Sequence, residues 1–183
     1  MEIKYIGDNS IYIKGKKENV WINPTQSDFS SKNESGRICI FTEKERNFVK
    51  LGEEAEKVVI CGPGEYEVGG VEISGINSMY SLTVDGIKIV TVGKLEGEIS
   101  DRKKEKLEEA DVLLLEMSTN SVEIAKKSAA NYLVPVNYEK EEKELKIFLD
   151  AFDKESLEKI ESLKVDRENL PEGVEVILLK TRS

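Results

Sequence analysis

The apolar residues of the first ninety positions come in short steps. Ile3-to-Ile6, Ser10-to-Lys14 and Asn19-to-Asn23 are brief stretches rich in β-branched and aromatic residues. Asp8-Asn9 and Lys14-Gly15-Lys16 separate them with turn-forming residues. The pattern predicts three short strands. A polar loop runs from Pro24 to Gly36, and then Arg37-to-Phe41 and Lys57-to-Cys61 read as strands of the buried type. The charged piece between them, Glu43 to Glu56, is expected to hold a helical turn. Glu65-to-Val68 and Val71-to-Ser74 flank Gly69-Gly70, and Ser81-to-Val84 and Ile87-to-Val92 flank Asp85-Gly86. Both dipeptides suit two-residue hairpin turns, which need positive φ.

After residue 100 the period changes. Ser100 to Ala110 predicts a charged helix with Leu107 facing inward, and Val112-Leu113-Leu114-Leu115 a fully buried strand. Asn120 to Ala130 predicts a helix with Asn120 as N-cap and Glu123 three residues on. Leu133-to-Val136 reads as a strand. Leu145, Phe148 and Phe152, then Leu157, Ile160 and Leu163, are spaced for two further helices, and Val174 to Leu179 closes as a strand. Periodicity alone gives mixed α/β. Strand meanders followed by α/β alternation suit two sheets packed face to face with helices outside, a four-layer αββα sandwich. No solenoid-type repeat or low-complexity linker interrupts the chain.

Composition narrows the function classes. The 183 residues suit one domain over 1–183. The formal charge of −9, with no basic stripe, argues against nucleic-acid partners. No apolar run approaches a membrane span, and Met1-to-Ile6 alternates like a strand rather than a leader, so a cytoplasmic protein without membrane partners is expected. Cys39 and Cys61 sit in apolar runs and are expected to be reduced. The most informative count is zero histidines. It removes Ser-His-Asp and Cys-His catalysis and every His-based zinc site.

The local motifs offer little chemistry of their own. Gly62-Pro63-Gly64 fails as a dinucleotide fingerprint: its third glycine would fall on Glu67, and a strand follows. Neither a G-x-x-x-x-G-K-[ST] loop nor a G-x-S-x-G elbow occurs. Glu43, Glu45, Glu65, Glu67 and Glu116 could supply paired carboxylates, but Glu65 and Glu67 read as solvated surface acids. Trp21 reads as core.

The order of landmarks resembles the metallo-β-lactamase-fold metal-dependent hydrolases, in particular small members with a "GPGEYEV-x-G-V-x-I-x-G-I" segment. Here the segment is Gly62-Pro63-Gly64-Glu65-Tyr66-Glu67-Val68-Gly69-Gly70-Val71-Glu72-Ile73-Ser74-Gly75-Ile76. The likeness runs from Tyr5-Ile6-Gly7 to Leu170-Pro171-Glu172. It implies the αββα sandwich and a zinc-type centre built on H-x-H-x-D-H at a strand end, which activates water. In this chain Thr42 matches the residue before that motif. Glu43, Glu45 and Phe48 stand where the resemblance places histidines, and Asn47 stands at the aspartate. The histidine loop after "G-I" is shortened to Asn77-Ser78. The bridging aspartate is Lys94, the last histidine is Asn137, "G-H-S" reads Gly7-Asp8-Asn9, and the aspartate before proline is Asn23.

The resemblance therefore implies a degenerate member: no catalytic residue, no metal, and former metal-site positions Asp8, Glu43, Glu45, Asn47, Phe48, Lys94 and Asn137. The charges of Glu43-Lys44-Glu45-Arg46 fall where a metal cluster would sit. Lys94 is expected to pair, buried, with Glu43 or Glu45 and to replace the metal's cross-link. The expected role is binding or assembly, with a protein or small-molecule partner that the sequence does not name. Two rivals stay open. One is a hydrolase with a rebuilt site for a hard cation on Asp8, Glu43, Glu45, Asn47 and Asn137. The other is a subunit of a homo-oligomer or hetero-oligomer.

Overall fold

The computed structural model describes residues 1–25, 28, 36–43, 57–95, 97–154 and 156–182. Five strands open the chain: β1 (Glu2–Gly7), β2 (Ser10–Lys14), β3 (Asn19–Ile22), β4 (Ile38–Ile40) and β5 (Val58–Ile60). A meander follows with β6 (Gly64–Val68), β7 (Val71–Ile76), β8 (Met79–Val84) and β9 (Ile87–Val92). Alternation then sets in with α1 (Asp101–Glu108), β10 (Val112–Glu116), α2 (Ser121–Lys126), β11 (Tyr132–Val136) and α3 (Glu142–Ala151). The short strands β12 (Leu163–Lys164) and β13 (Glu175–Val176) complete the described elements.

The strands form two mixed sheets, ordered β12-β1-β2-β3-β4-β5 and β13-β11-β10-β9-β8-β7-β6. Their inner faces share one core, to which Ile3, Ile13, Ile38, Leu82, Ile89 and Leu114 contribute. All five residues of β10 are buried, as expected for a parallel strand covered on both faces. Leu107, Ile124, Ala125, Phe148 and Leu149 bring the helices into that core. On the other face of the first sheet, one position out of step with the inner face, Tyr12, Trp21, Cys39 and Phe41 form a second buried cluster. Trp21 is core, as its sequence context suggests. Cys39 is a free thiol in that cluster, pushed up to about 11 by burial.

The hairpins follow the turn chemistry of the sequence. Gly69-Gly70 and Asp85-Gly86 carry positive φ at both central positions, as does Asn77-Ser78 between β7 and β8. Three helix and strand expectations need correction. The helix expected over 120–130 spans only Ser121–Lys126, and Asn120 makes no side-chain cap, because its Nδ2 donates to the Leu95 carbonyl at 3.2 Å. The helix expected through Leu157, Ile160 and Leu163 does not form. Leu163 pairs with Ile3 at the edge of the first sheet, and Ile160 bridges to Leu179. The closing strand is cut to Glu175–Val176 for the same reason: Leu179 is engaged by Ile160. The stretch Glu43 to Glu56 lies outside the described residues except for Glu43 itself. No described helix is long and apolar enough to cross a membrane.

Candidate functional site

The chain directions bring many polar strand ends to one rim. The β1–β2 turn at Asp8-Asn9, Asn23 after β3, Thr42 after β4, the Asn77-Ser78 turn, Lys94 after β9, Glu116 at the end of β10 and Asn137 after β11 share it. Asp8, Asn23, Asn77 and Asn137 all have positive φ, a conformation that asparagine and aspartate adopt more readily than other non-glycine residues. The two sheets approach closely at Gly93, where a Cβ would stand 2.9 Å from Thr42 Oγ1. Only glycine leaves room for that contact.

At the centre of the rim is a buried carboxylate. Glu116 is 3% exposed and is the last residue of β10. Asn137 Nδ2 donates to its Oε1 at 3.1 Å, and Asn9 Nδ2 donates to its Oε2 at 3.3 Å. Asn9 belongs to the first sheet's rim and Asn137 to the second's, so this one carboxylate ties the sheets together. The tie is reinforced around it. The Asn137 N–H donates to the Tyr5 hydroxyl at 3.2 Å, and that hydroxyl donates to the Asp8 carbonyl at 2.6 Å. Burial pushes the Tyr5 phenol well above its ordinary range. Ser121 Oγ donates to the Glu116 carbonyl at 3.3 Å. Beside the cluster, Asn23 Oδ1 accepts the Thr42 N–H at 2.9 Å, and its Nδ2 donates to Thr42 Oγ1 at 3.0 Å.

Next to this polar centre a cleft of about 430 Å³ opens between the sheets' ends. Phe41, Pro63 and Tyr80 give it apolar walls, and Thr42, Glu43 and the Asn77-Ser78 turn give it polar ones. Tyr80 is fixed by the Gly62 backbone: its hydroxyl accepts the N–H at 2.6 Å and donates to the carbonyl at 3.2 Å. Burial raises its pKa, so it stays a neutral wall residue at physiological pH.

This architecture is shared with solved structures. A proposed Zn-dependent hydrolase of the metallo-β-lactamase superfamily from Thermotoga maritima superposes with a TM-score of 0.78, covering 98% of this chain and 98% of that one at 21% identity. The chain has the metallo-β-lactamase fold. A proposed metal-dependent hydrolase from Parabacteroides distasonis matches with a TM-score of 0.64 over 97% of this chain and 93% of its own, at 13% identity. A metallo hydrolase from Ignicoccus hospitalis matches with a TM-score of 0.58 over 90% and 99%, at 11% identity. No family model and no curated protein matches the sequence.

In metallo-β-lactamase-fold hydrolases of the resembling kind, zinc takes His and Asp ligands. Among the described residues, the donors at this rim do not fit that ion. The chain has no histidine, and among the described residues no three Asp, Glu or Cys side chains converge. The side chains that do meet are two amides and one carboxylate, and they are bonded to each other.

The structure places the sequence's candidate positions unevenly. Asn137 and Glu43 lie at the site, in the clamp and in the cleft respectively. Asp8 does not enter it. Its carboxylate is exposed and pairs with Lys140 at 2.6 Å. Glu45, Asn47 and Phe48 lie outside the described residues. The expected buried pairing of Lys94 is corrected. Lys94 is 51% exposed, and its Nζ meets Glu141 Oε1 at 3.1 Å. That hydrogen bond holds the ammonium charged, with Glu116 and Glu43 adding attraction at longer range. An exposed pair of this kind contributes under about 1 kcal/mol, so it replaces no metal cross-link.

The sequence offered Glu116 only as one of five acids for paired carboxylates, and Asn9 as a turn residue and the last position of the "G-H-S" match. A signal was present for both. Glu116 ends an all-apolar parallel strand in register with Val136, one residue before Asn137. Among the described residues its carboxylate meets the Asn9 and Asn137 amides.

Proposed function

We propose that this protein is a catalytically inactive member of the metallo-β-lactamase fold that works by binding. In this reading residues 1–183 make one metallo-β-lactamase-like domain. The supporting observation is the Glu116 clamp. Asn137, at the position of the last histidine of the resembling motif, spends its amide on a carboxylate of the same chain. Hydrolysis by the fold's usual route needs an ion with an open coordination position. Two amides and a mutually bonded carboxylate offer none. What remains usable is the cleft. Its volume suits a small molecule or a protruding group of a partner, with Glu43 and Thr42 as polar contacts on apolar walls.

The rival reading keeps hydrolysis, with a hard cation on oxygen ligands. Asp8's pairing with Lys140 weakens it, since that carboxylate was one of its ligands. The discriminating test is turnover. Untagged protein is assayed on β-lactam, phosphodiester and thioester reporters, with zinc, manganese or magnesium added. The expected rate is that of buffer alone with each metal. Metal-dependent turnover that disappears in Asn137→Leu would replace this reading with the hydrolase.

A further inference from the structure

The second sheet ends in an open edge, β6, that is longer than the other sheet ends. β6 has five residues, whereas the edge strands β5, β12 and β13 have three, two and two. The two-residue Gly69-Gly70 turn fixes which of its backbone groups are engaged. The closing pair of such a hairpin, Val68 and Val71, exchanges its hydrogen bonds, and bonded and non-bonded pairs then alternate along the ladder. Gly64, Tyr66 and Val68 therefore bond to β7. The N–H and C=O groups of Glu65 and Glu67 point away from it, toward the open side. β7 is the only strand beside β6 in its sheet.

The two faces of this edge differ in chemistry. Glu65 stands across from Ser74 and Glu67 across from Glu72, so the three acids share the outer face, and all three are exposed. Ser74 Oγ donates to Glu65 Oε1 at 2.7 Å. Glu67 and Glu72 are like charges directly opposite each other, which destabilises a sheet, and among the described residues neither has a cationic partner. Tyr66 and Val68 point to the inner face. They pack against the shared core but are only half-buried, with no further strand beside them.

We propose that the β6 edge docks an extended segment of a partner protein in which basic and apolar residues alternate. Added as the next strand, its backbone meets the outward N–H and C=O groups of Glu65 and Glu67. Its lysines or arginines fall beside Glu65 and Glu67 and relieve the opposed acids, while its apolar residues fall beside Tyr66 and Val68 and extend the core. Charge keeps a second copy of this chain from the same place. Two β6 edges would set acid against acid, a common way in which an edge is kept from pairing with itself. The chain's net charge of −9 draws in a basic partner. This surface is separate from the cleft and stands whether or not the cleft takes a ligand.

The probe is a capped peptide of alternating lysine and valine, with a glutamate–valine peptide of the same length as control. Binding to the unaltered full chain is read by amide hydrogen exchange, residue by residue. With the basic peptide, exchange at the Glu65 and Glu67 amides should slow about tenfold or more, while Tyr66 and Val68, already bonded to β7, change far less. Replacing both exposed acids, Glu65→Lys with Glu67→Lys, should weaken the basic peptide about tenfold and admit the acidic one in its place. No binding, equal affinity for the two peptides, or binding that leaves exchange at Glu65 and Glu67 unchanged would overturn the proposal. Slow exchange at these two amides in the free chain, lost on dilution, would overturn it in favour of a second copy.

Discussion

Replacing Glu116 by leucine lowers the melting temperature by roughly 5–15 °C, because two buried amide groups lose their acceptor at about 1–3 kcal/mol each. Replacing it by glutamine costs far less, under about 1 kcal/mol. The reason lies in the Oδ1 atoms of Asn9 and Asn137, which are buried without a hydrogen-bond partner. Glutamine offers one acceptor and one donor. One asparagine keeps its Nδ2 on the new carbonyl, and the other turns over so that its Oδ1 accepts the new N–H. The neutral side chain also removes a buried charge. Leucine and glutamine thus separate the shape of the clamp from its hydrogen bonding. Equal losses for the two would mean that packing alone matters at this position, and that the clamp is incidental. Calorimetry of the two variants beside the parent decides it.

Trp21→Ala is the second large effect. Trp21 is fully buried and centres the cluster with Tyr12, Cys39 and Phe41 on the first sheet's outer face. Its ring lies 4.8 Å from that of Tyr12, centroid to centroid. The fit on the other side is as close: a Cβ at Gly36 would stand 2.7 Å from Trp21 Cδ1. Truncation leaves a cavity the neighbours cannot fill, at a cost of roughly 3–5 kcal/mol. The melting temperature should fall by about 6–20 °C, and by less than half of that in Trp21→Phe. The loss also loosens Phe41, which walls the cleft, so ligand binding there should weaken with it. A change within about 2 °C for Trp21→Ala would show that this face contributes little to the fold.

These two sites illustrate what the sequence carries and what it does not. The scaffold is legible because its signals are local. Gly69-Gly70 and Asp85-Gly86 announce turns that need positive φ, and both have it. The apolar runs at 38–40, 58–60 and 112–115 announce buried strands, and the structure forms them as β4, β5 and β10. The resemblance singles out Glu43 and Asn137, and the structure has Glu43 on the cleft wall and Asn137 in the clamp. The failures come where partners are far apart in sequence. The Glu116 clamp joins residues 107 and 21 positions apart, and nothing within a local window pairs them. Lys94 was paired by charge with the nearest carboxylates of the motif. The structure gives it Glu141, 47 residues away, on the surface between β11 and α3. The stretch around Leu157 and Ile160 misled because helical spacing was its only signal. Its actual partners, Ile3 and Leu179, belong to the chain's two ends.

One view of the rim follows from these particulars. In the zinc-dependent fold an ion joins the ends of the two sheets. Here the join is organic, made by Asn9, Glu116, Asn137 and Tyr5 from strand ends on both sides. On the proposed reading this hydrogen-bonded tie stands where a hydrolytic centre would need open ligands. An inactive protein of this kind holds no resident transition metal. The direct measurement is the metal content of the untagged protein, purified without chelator and analysed by plasma mass spectrometry. Zinc, manganese and iron should each be near zero per chain. A ratio near one ion of any of them per chain would contradict the account and restore the hydrolase.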